Sequence, residues 1–136
     1  MQKENSTNEI IRVFRKFARL GLANENASPL RIYKKIEVLC PARRSRLDML
    51  AVYDALRLLK LNGEDEVVEA VSKVYFEGMA YRLTKHEKGA RVAQLANLRH
   101  CDERTVYRRL ERARNLYEKI REQEEKQFDE LYLEFY

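Results

Sequence analysis

Apolar residues in this chain return at every third or fourth position and nowhere settle into alternation with polar ones. That period matches the 3.6-residue turn of an α-helix, and without alternation there is no half-buried strand from which to build a sheet. Only four glycines and two prolines interrupt the pattern, so turns are few. An all-α fold follows, with a helical region over residues 1–63, a second over 64–121 and a tail over 122–136.

Local signals divide the pattern. Ser6-Thr7-Asn8-Glu9 has capping-box spacing and predicts a helix start, followed by Ile10, Val13, Phe14, Phe17 and Leu20 on one face. Arg12, Arg15, Lys16 and Arg19 fall between them, and Gly21 suits a C-terminal cap. Ser28-Pro29 predicts an N-cap with proline at the first helical position, opening Leu30, Tyr33, Ile36, Leu39 and Cys40, with Pro41 ending the run. From Arg43 a stripe of Leu47, Leu50, Asp54, Leu58 and Leu61 is broadened by Met49, Val52, Tyr53, Leu56 and Leu59 until Asn62-Gly63. Such a wide apolar surface predicts a helix central to the core.

The acidic turn Glu64-Asp65-Glu66 suits the next helix start, with Val67, Val71, Val74, Tyr75 and Gly78 on one face and an end near Arg82. Thr84-Lys85-His86-Glu87 is a second capping box, leading into Val92, Leu95, Ala96 and Leu98 and stopping near Arg99. Asp102 opens the last helix, with Val106, Leu110, Ala113, Leu116 or Tyr117, and Ile120 inward. Beyond it Phe128, Leu131, Tyr132 and Phe135 form an aromatic stripe, and Glu124 and Gln127 interrupt the apolar seam enough to predict a break between Glu122 and Lys126.

Charge narrows the function classes. The net +5 is uneven: residues 1–63 hold 13 Lys/Arg against 6 Asp/Glu, residues 101–120 hold 6 against 4, and residues 121–136 hold 2 against 6. A basic excess favours a polyanionic partner, and the acidic tail is a different surface suited to a protein contact. Two cysteines, Cys40 and Cys101, and two histidines provide neither a disulfide framework nor a zinc set, and both thiols are expected to be buried. No nucleophile motif or Gly-rich phosphate loop is present, and Glu124-Glu125 has no histidine nearby, so an enzyme is not expected, nor any cofactor. No apolar run reaches membrane-spanning length and Met1 to Glu9 is not a secretory leader, which places the expectation in the cytoplasm and away from membranes.

The most informative segment is the junction of the last two helices, separated by His100 and Cys101 alone. Close crossing there requires a small residue in the first helix, an apolar turn residue and a branched residue in the second, and Ala96, Cys101 and Val106 meet these needs. The outward residues of the second helix include Arg104, Thr105, Tyr107, Arg108, Arg109 and Arg112, a donor-rich set whose guanidinium forks match guanine edges and phosphates.

On Leu95-Ala96, the run from Asp102 to Leu110 and Ala113, the segment Leu83 to Tyr117 resembles the promoter-reading region four of sigma factors, a helix-turn-helix. More narrowly, the helix from Glu64 together with this recognition segment is similar to small phage and prophage late-gene regulators of the ArpU and RinA-like type. The resemblance covers roughly the second half of the chain. It implies a sequence-specific transcriptional regulator that binds double-stranded DNA, with Arg104, Thr105, Tyr107 and Arg108 reading bases and Lys88, Arg91, Arg109 and Arg112 contacting phosphates. RNA polymerase and a second copy of the chain are the other partners it admits. Two positions depart from the family: His100 stands where glycine is usual and Arg99 where leucine is usual. Histidine tolerates a left-handed backbone better than most residues.

Two other classes fit the same features. A DNA-recognition subunit of a phage packaging machine uses small helical proteins with this motif and would form a large ring. An adaptor or inhibitor would use the acidic aromatic tail and no DNA. Lys34-Lys35 and Arg43-Arg44-Ser45-Arg46 suit either an extended DNA footprint or a solvated loop.

Overall fold

A computed structural model describes residues 2–23, 26–78 and 82–135, without the side chains of 2–5 and 131–135. Within these residues the chain is all-helical, with α1 (Gln2–Arg19), α2 (Pro29–Leu39), α3 (Arg43–Leu61), α4 (Asp65–Val71), a π-helical continuation of α4 (Ser72–Phe76), α5 (Lys85–Leu98) and α6 (Glu103–Phe135). No helix among the described residues is long and apolar enough to cross a membrane.

The α1 start differs from expectation. Its helix begins at Gln2, so the capping-box residues Ser6 and Thr7 lie inside it. Gln-Lys-Glu upstream are good helix formers, and continued backbone bonding outcompetes the local side-chain cap. The α2 cap forms as expected, the Ser28 hydroxyl accepting from the Arg31 N–H at 3.4 Å. Its buried face is Ile32, Ile36 and Cys40, however, while Leu30 and Leu39 face outward. The α3 stripe rotates in the same way: Met49, Ala51, Val52, Ala55, Leu56 and Leu59 join Leu47 inside, and Leu58 and Leu61 stay exposed. In both helices several apolar stripes were available, and only tertiary packing selects between them.

Helix α3 is the hub, packing against α1, α2, α4 and α6. Buried residues of all six helices belong to one apolar cluster. At its centre Phe14 meets Tyr75 edge-on at 5.8 Å between ring centroids and Tyr117 at 5.5 Å. Offset aromatic contacts of this kind add about 0.5–1.5 kcal/mol to area burial. The buried Tyr75 hydroxyl accepts from Arg114 Nη1 at 2.7 Å. Cys40 is buried as expected, and Cys101 is half-buried.

Arg15 is a polar residue in that core, 2% exposed. The periodicity of α1 predicts a solvated arginine; instead Nη1 donates to the carbonyls of Tyr75 at 2.9 Å and Glu77 at 3.2 Å. From the other side Arg91 Nη1 donates to the carbonyls of Val74 at 3.0 Å and Glu77 at 2.7 Å. A helix end leaves carbonyls without intrahelical partners and carries partial negative charge. Two guanidiniums therefore close the π-turn from opposite sides, and the helix stops at Phe76, well short of the expected Arg82. Residues 79–81 of that expected extension lie outside the described residues. Gly78 is fixed by the same arrangement: its φ is +87°, and a Cβ there would stand 2.9 Å from Arg91 Nη2.

The expected break in the last helix is absent, and α6 runs unbroken for 33 residues. Polar contacts with α3 take over where the apolar seam fades. Arg121 Nε donates to Asp48 Oδ1 at 2.8 Å, and Arg43 pairs with Asp129 and stands 4.5 Å over the Phe128 ring. Between them Glu124 meets Asp54, which also accepts from the Tyr33 hydroxyl at 3.0 Å. The remaining members of the tail stripe, Leu131, Tyr132 and Phe135, have side chains outside the described residues.

Arg15→Met retains stem volume but removes both donors, and should lower unfolding free energy by about 2–4 kcal/mol in urea titration. A change below about 0.5 kcal/mol would show that the carbonyls are satisfied without it. Burial, then the facing Asp54, pushes the Glu124 carboxyl up to about 9 from 4.5. The folded state thus favours the neutral acid, so this contribution to stability is complete below the ordinary carboxylate range and fades as pH rises towards about 9. Glu124→Gln should flatten that loss in thermal melts taken across the window; a parallel decline in both proteins would rule the residue out as its source.

Candidate nucleic-acid interface

The link between α5 and α6 begins with how α5 starts and stops. The Thr84 hydroxyl caps it by accepting from the Glu87 N–H at 3.1 Å. At its other end the Cys101 N–H reaches the Ala96 carbonyl at 3.0 Å and the His100 N–H the Asn97 carbonyl at 3.3 Å. This pair of bonds is a Schellman motif, and it requires a left-handed residue at the middle position. The same pair ends α1 at Gly21 and α3 at Gly63. Here His100 adopts it with φ +53°, and is the positive-φ non-glycine among the described residues.

Reversal at His100 puts Cys101 against the core and leaves Asp102 before the first residue of α6, its carbonyl accepting from Thr105 at 3.0 Å and Val106 at 3.4 Å. Val92, Leu95 and Ala96 of α5 and Val106, Leu110 and Ala113 of α6 are all buried in the common cluster. The small–apolar–branched pattern of Ala96, Cys101 and Val106 is thus packed in one place. Leu98, expected inward, is 61% exposed, because the turn begins just beyond it.

With Val106, Leu110 and Ala113 inward, a rotation of 100° per residue puts Arg104, Tyr107, Arg108 and Glu111 on the opposite face. Arg104 and Arg108 are exposed, and Tyr107 is 41% exposed. Thr105 and Arg109 are half-buried on the flank towards α4. Neither Arg104 nor Arg108 forms an ion pair with a described residue.

The neighbouring cations are differently placed. Arg112 makes a two-pronged contact with Glu64, at 3.1 and 3.0 Å, and holds that carboxyl below its usual range. Arg99 does the same to Glu69, with Nε 2.8 Å from Oε1. Arg91 is occupied by the π-turn carbonyls and by Glu87 at 3.8 Å. Of the four residues assigned to phosphate by resemblance, Arg91 and Arg112 thus hold the scaffold together, and Lys88 and Arg109 are half-buried.

The basic residues of α2 and of the first turn of α3 divide in the same manner. Arg43 is engaged with the tail, Arg46 Nε donates to the Cys40 carbonyl at 3.2 Å and Lys35 Nζ to the Gly21 carbonyl at 3.0 Å, whereas Lys34 and Arg44 are exposed. Sequence spacing names these cations but does not distinguish the tied from the untied, because the partners are carbonyls of preceding turns and a carboxylate 86 positions away.

Comparison with protein-family models, with curated proteins and with solved structures gives no match for this chain.

His100 is exposed, so its substitutions report on backbone rather than packing. His100→Gly should raise unfolding free energy by about 0.5–1 kcal/mol and His100→Val should lower it by about 1–2 kcal/mol. Equal stability of all three proteins in denaturant titration would mean that the turn does not need the left-handed state.

Proposed function

We propose that the protein is a sequence-specific regulator of transcription that reads the major groove of double-stranded DNA with the first turns of α6. The observation that carries this reading is that Arg104 and Arg108, beside the exposed Tyr107, have no ion pair with a described residue, whereas the equally exposed Arg99 and Arg112 are paired with Glu69 and Glu64. Exposed guanidiniums without an ion pair among the described residues retain their donors for guanine edges, and the tyrosine adds a hydroxyl and an apolar ring. A major groove about 12 Å wide accepts one helix, and a helix-turn-helix offers the N-terminal part of its second helix to it.

Charge along α6 supports the same placement. Residues 103–112 hold Arg104, Arg108, Arg109 and Arg112 against Glu103 and Glu111, whereas residues 113–135 hold four Lys/Arg against seven Asp/Glu. A duplex is attracted to the first part and repelled by the second, which limits groove contact to roughly three turns. The resemblance of residues 83–117 to region four of sigma factors, and to phage and prophage late-gene regulators, favours promoter DNA as the target. In this reading Thr105 joins the base-reading group at its edge, Lys88 and Arg109 take phosphates, and Arg91 and Arg112 position the two helices from within.

Selection of bound fragments from random duplex DNA at near-physiological salt tests the proposal. An enriched motif is expected, and Arg104→Ala/Arg108→Ala should abolish the enrichment. Arg104→Ala alone should cost roughly 1–3 kcal/mol on that motif and relax one base position. Four to six phosphate contacts give a slope of log affinity against log salt on the order of −4 to −5. Selection of no motif by the wild-type chain, or a motif unchanged in the double variant, would overturn the reading.

A further inference from the structure

Another basic surface lies away from the exposed face of α6. A cleft of about 570 Å³ opens between α1 and the start of α5, lined by Arg12, Arg15, Arg82, Lys85 and Lys88, with no carboxylate in its wall among the described residues. Arg12, Arg82 and Lys85 are exposed on its wall and repel one another, and that repulsion is relieved when an anion enters. Arg15 is the buried floor: its Nη1 is held by the π-turn carbonyls, and its charge remains. Its pKa is lowered by burial first and by Arg91 second, with Glu87 acting the other way from outside the cleft wall.

From these charges and this cavity we infer that the cleft holds a backbone phosphate of the duplex whose bases α6 reads, with Arg12, Arg82 and Lys85 as its hands. The inference deepens the function proposed above and rests on it for the identity of the polyanion. Two features favour a duplex phosphate over a free one. Lys88, assigned to phosphate by the resemblance, lines this same cleft. The cleft also lies at the far end of α5 from the turn, 14 residues or about 20 Å away. That separation exceeds the 12 Å groove width and reaches the phosphates that flank it. Helix α1 thereby becomes part of the interface, a role its own sequence pattern leaves as a solvated basic face.

The test is titration of the full chain with a mixed-sequence duplex, and with the motif-bearing duplex if one is selected, over a range of salt. Arg12→Ala/Lys85→Ala should weaken binding to every duplex alike and reduce the salt slope by about 1–2, leaving base preference intact. Arg12→Lys/Lys85→Arg should restore the wild-type slope, which separates charge from packing; failure to restore it would overturn the assignment. Unchanged affinity and slope in the alanine variant would overturn the cleft while leaving the α6 reading in place. Loss of base preference in wild type with a slope still sensitive to the cleft would instead remove the α6 reading alone. Inorganic phosphate provides the remaining arm. Saturable phosphate binding abolished by the alanine pair, with duplex affinity untouched, would make this a small-anion site and overturn the duplex assignment.

Discussion

Closure of the π-turn by Arg15 and Arg91 is the interaction on which the remaining structure depends. Four hydrogen bonds from two guanidiniums converge on three carbonyls, those of Val74, Tyr75 and Glu77. A helix end inside a core would otherwise bury unpaired acceptors at a cost of about 1–3 kcal/mol each. One arginine comes from α1 and the other from α5, so the same contact that ends α4 also fixes the first helix to the segment that bears the candidate interface. Tyr75 sits within this closure, its carbonyl on Arg15, its ring on Phe14 and its hydroxyl on Arg114 of α6. Three helices therefore meet at one residue, and Arg91 ties α5 to its neighbours Val74 and Glu77.

Electrostatics in this molecule works by assignment. Glu69 of α4 and Glu64 just before it take Arg99 and Arg112, carboxylates of α3 and α6 take Arg121, and the tail takes Arg43. Exposed pairs of this kind contribute little to stability, about 0–1 kcal/mol. Their effect is on which cations stay exposed without an ion pair to a described residue, among them Arg104 and Arg108 on α6 and Arg12, Arg82 and Lys85 at the cleft between α1 and α5. Both surfaces adjoin α5, whose position is fixed by Arg91 and by the buried Val92, Leu95 and Ala96.

Much of this architecture is legible in the sequence where a local rule decides the outcome. Ser28-Pro29 and Thr84 to Glu87 mark helix starts, Gly21 and Gly63 mark stops, and the Ala96–Cys101–Val106 spacing gives the packed junction, because capping and close crossing depend on residues a few positions apart. Legibility fails where partners are distant. Nothing near Arg15 indicates that it will be buried against Tyr75, and nothing in the α2 or α3 pattern favours Ile32 over Leu30 or Leu59 over Leu58. The continuous α6 is another such case: Glu124 and Gln127 look like a break in an apolar seam, yet Asp48, Asp54 and Arg43 on α3 provide polar contacts along it. In the candidate interface the outward donors can be read from helical phase, whereas the pairing of Arg112 with Glu64 across 48 positions cannot. The cleft escapes for the same reason, since Arg12 and Lys85 meet only once α1 is folded back on α5.

The unbroken α6 has a mechanical consequence. At 1.5 Å per residue its 33 residues form a rod of about 50 Å, with Arg104 roughly 20 Å to one side of Tyr117 and Phe128 roughly 16 Å to the other. Tyr117 lies in the core against Phe14, Val106, Leu110 and Ala113 seat the half that leads to Arg104, and Arg121 and Arg43 hold the half that leads to Phe128. The exposed arginines and the acidic tail are thereby kept at a set spacing of about 36 Å along one stiff axis.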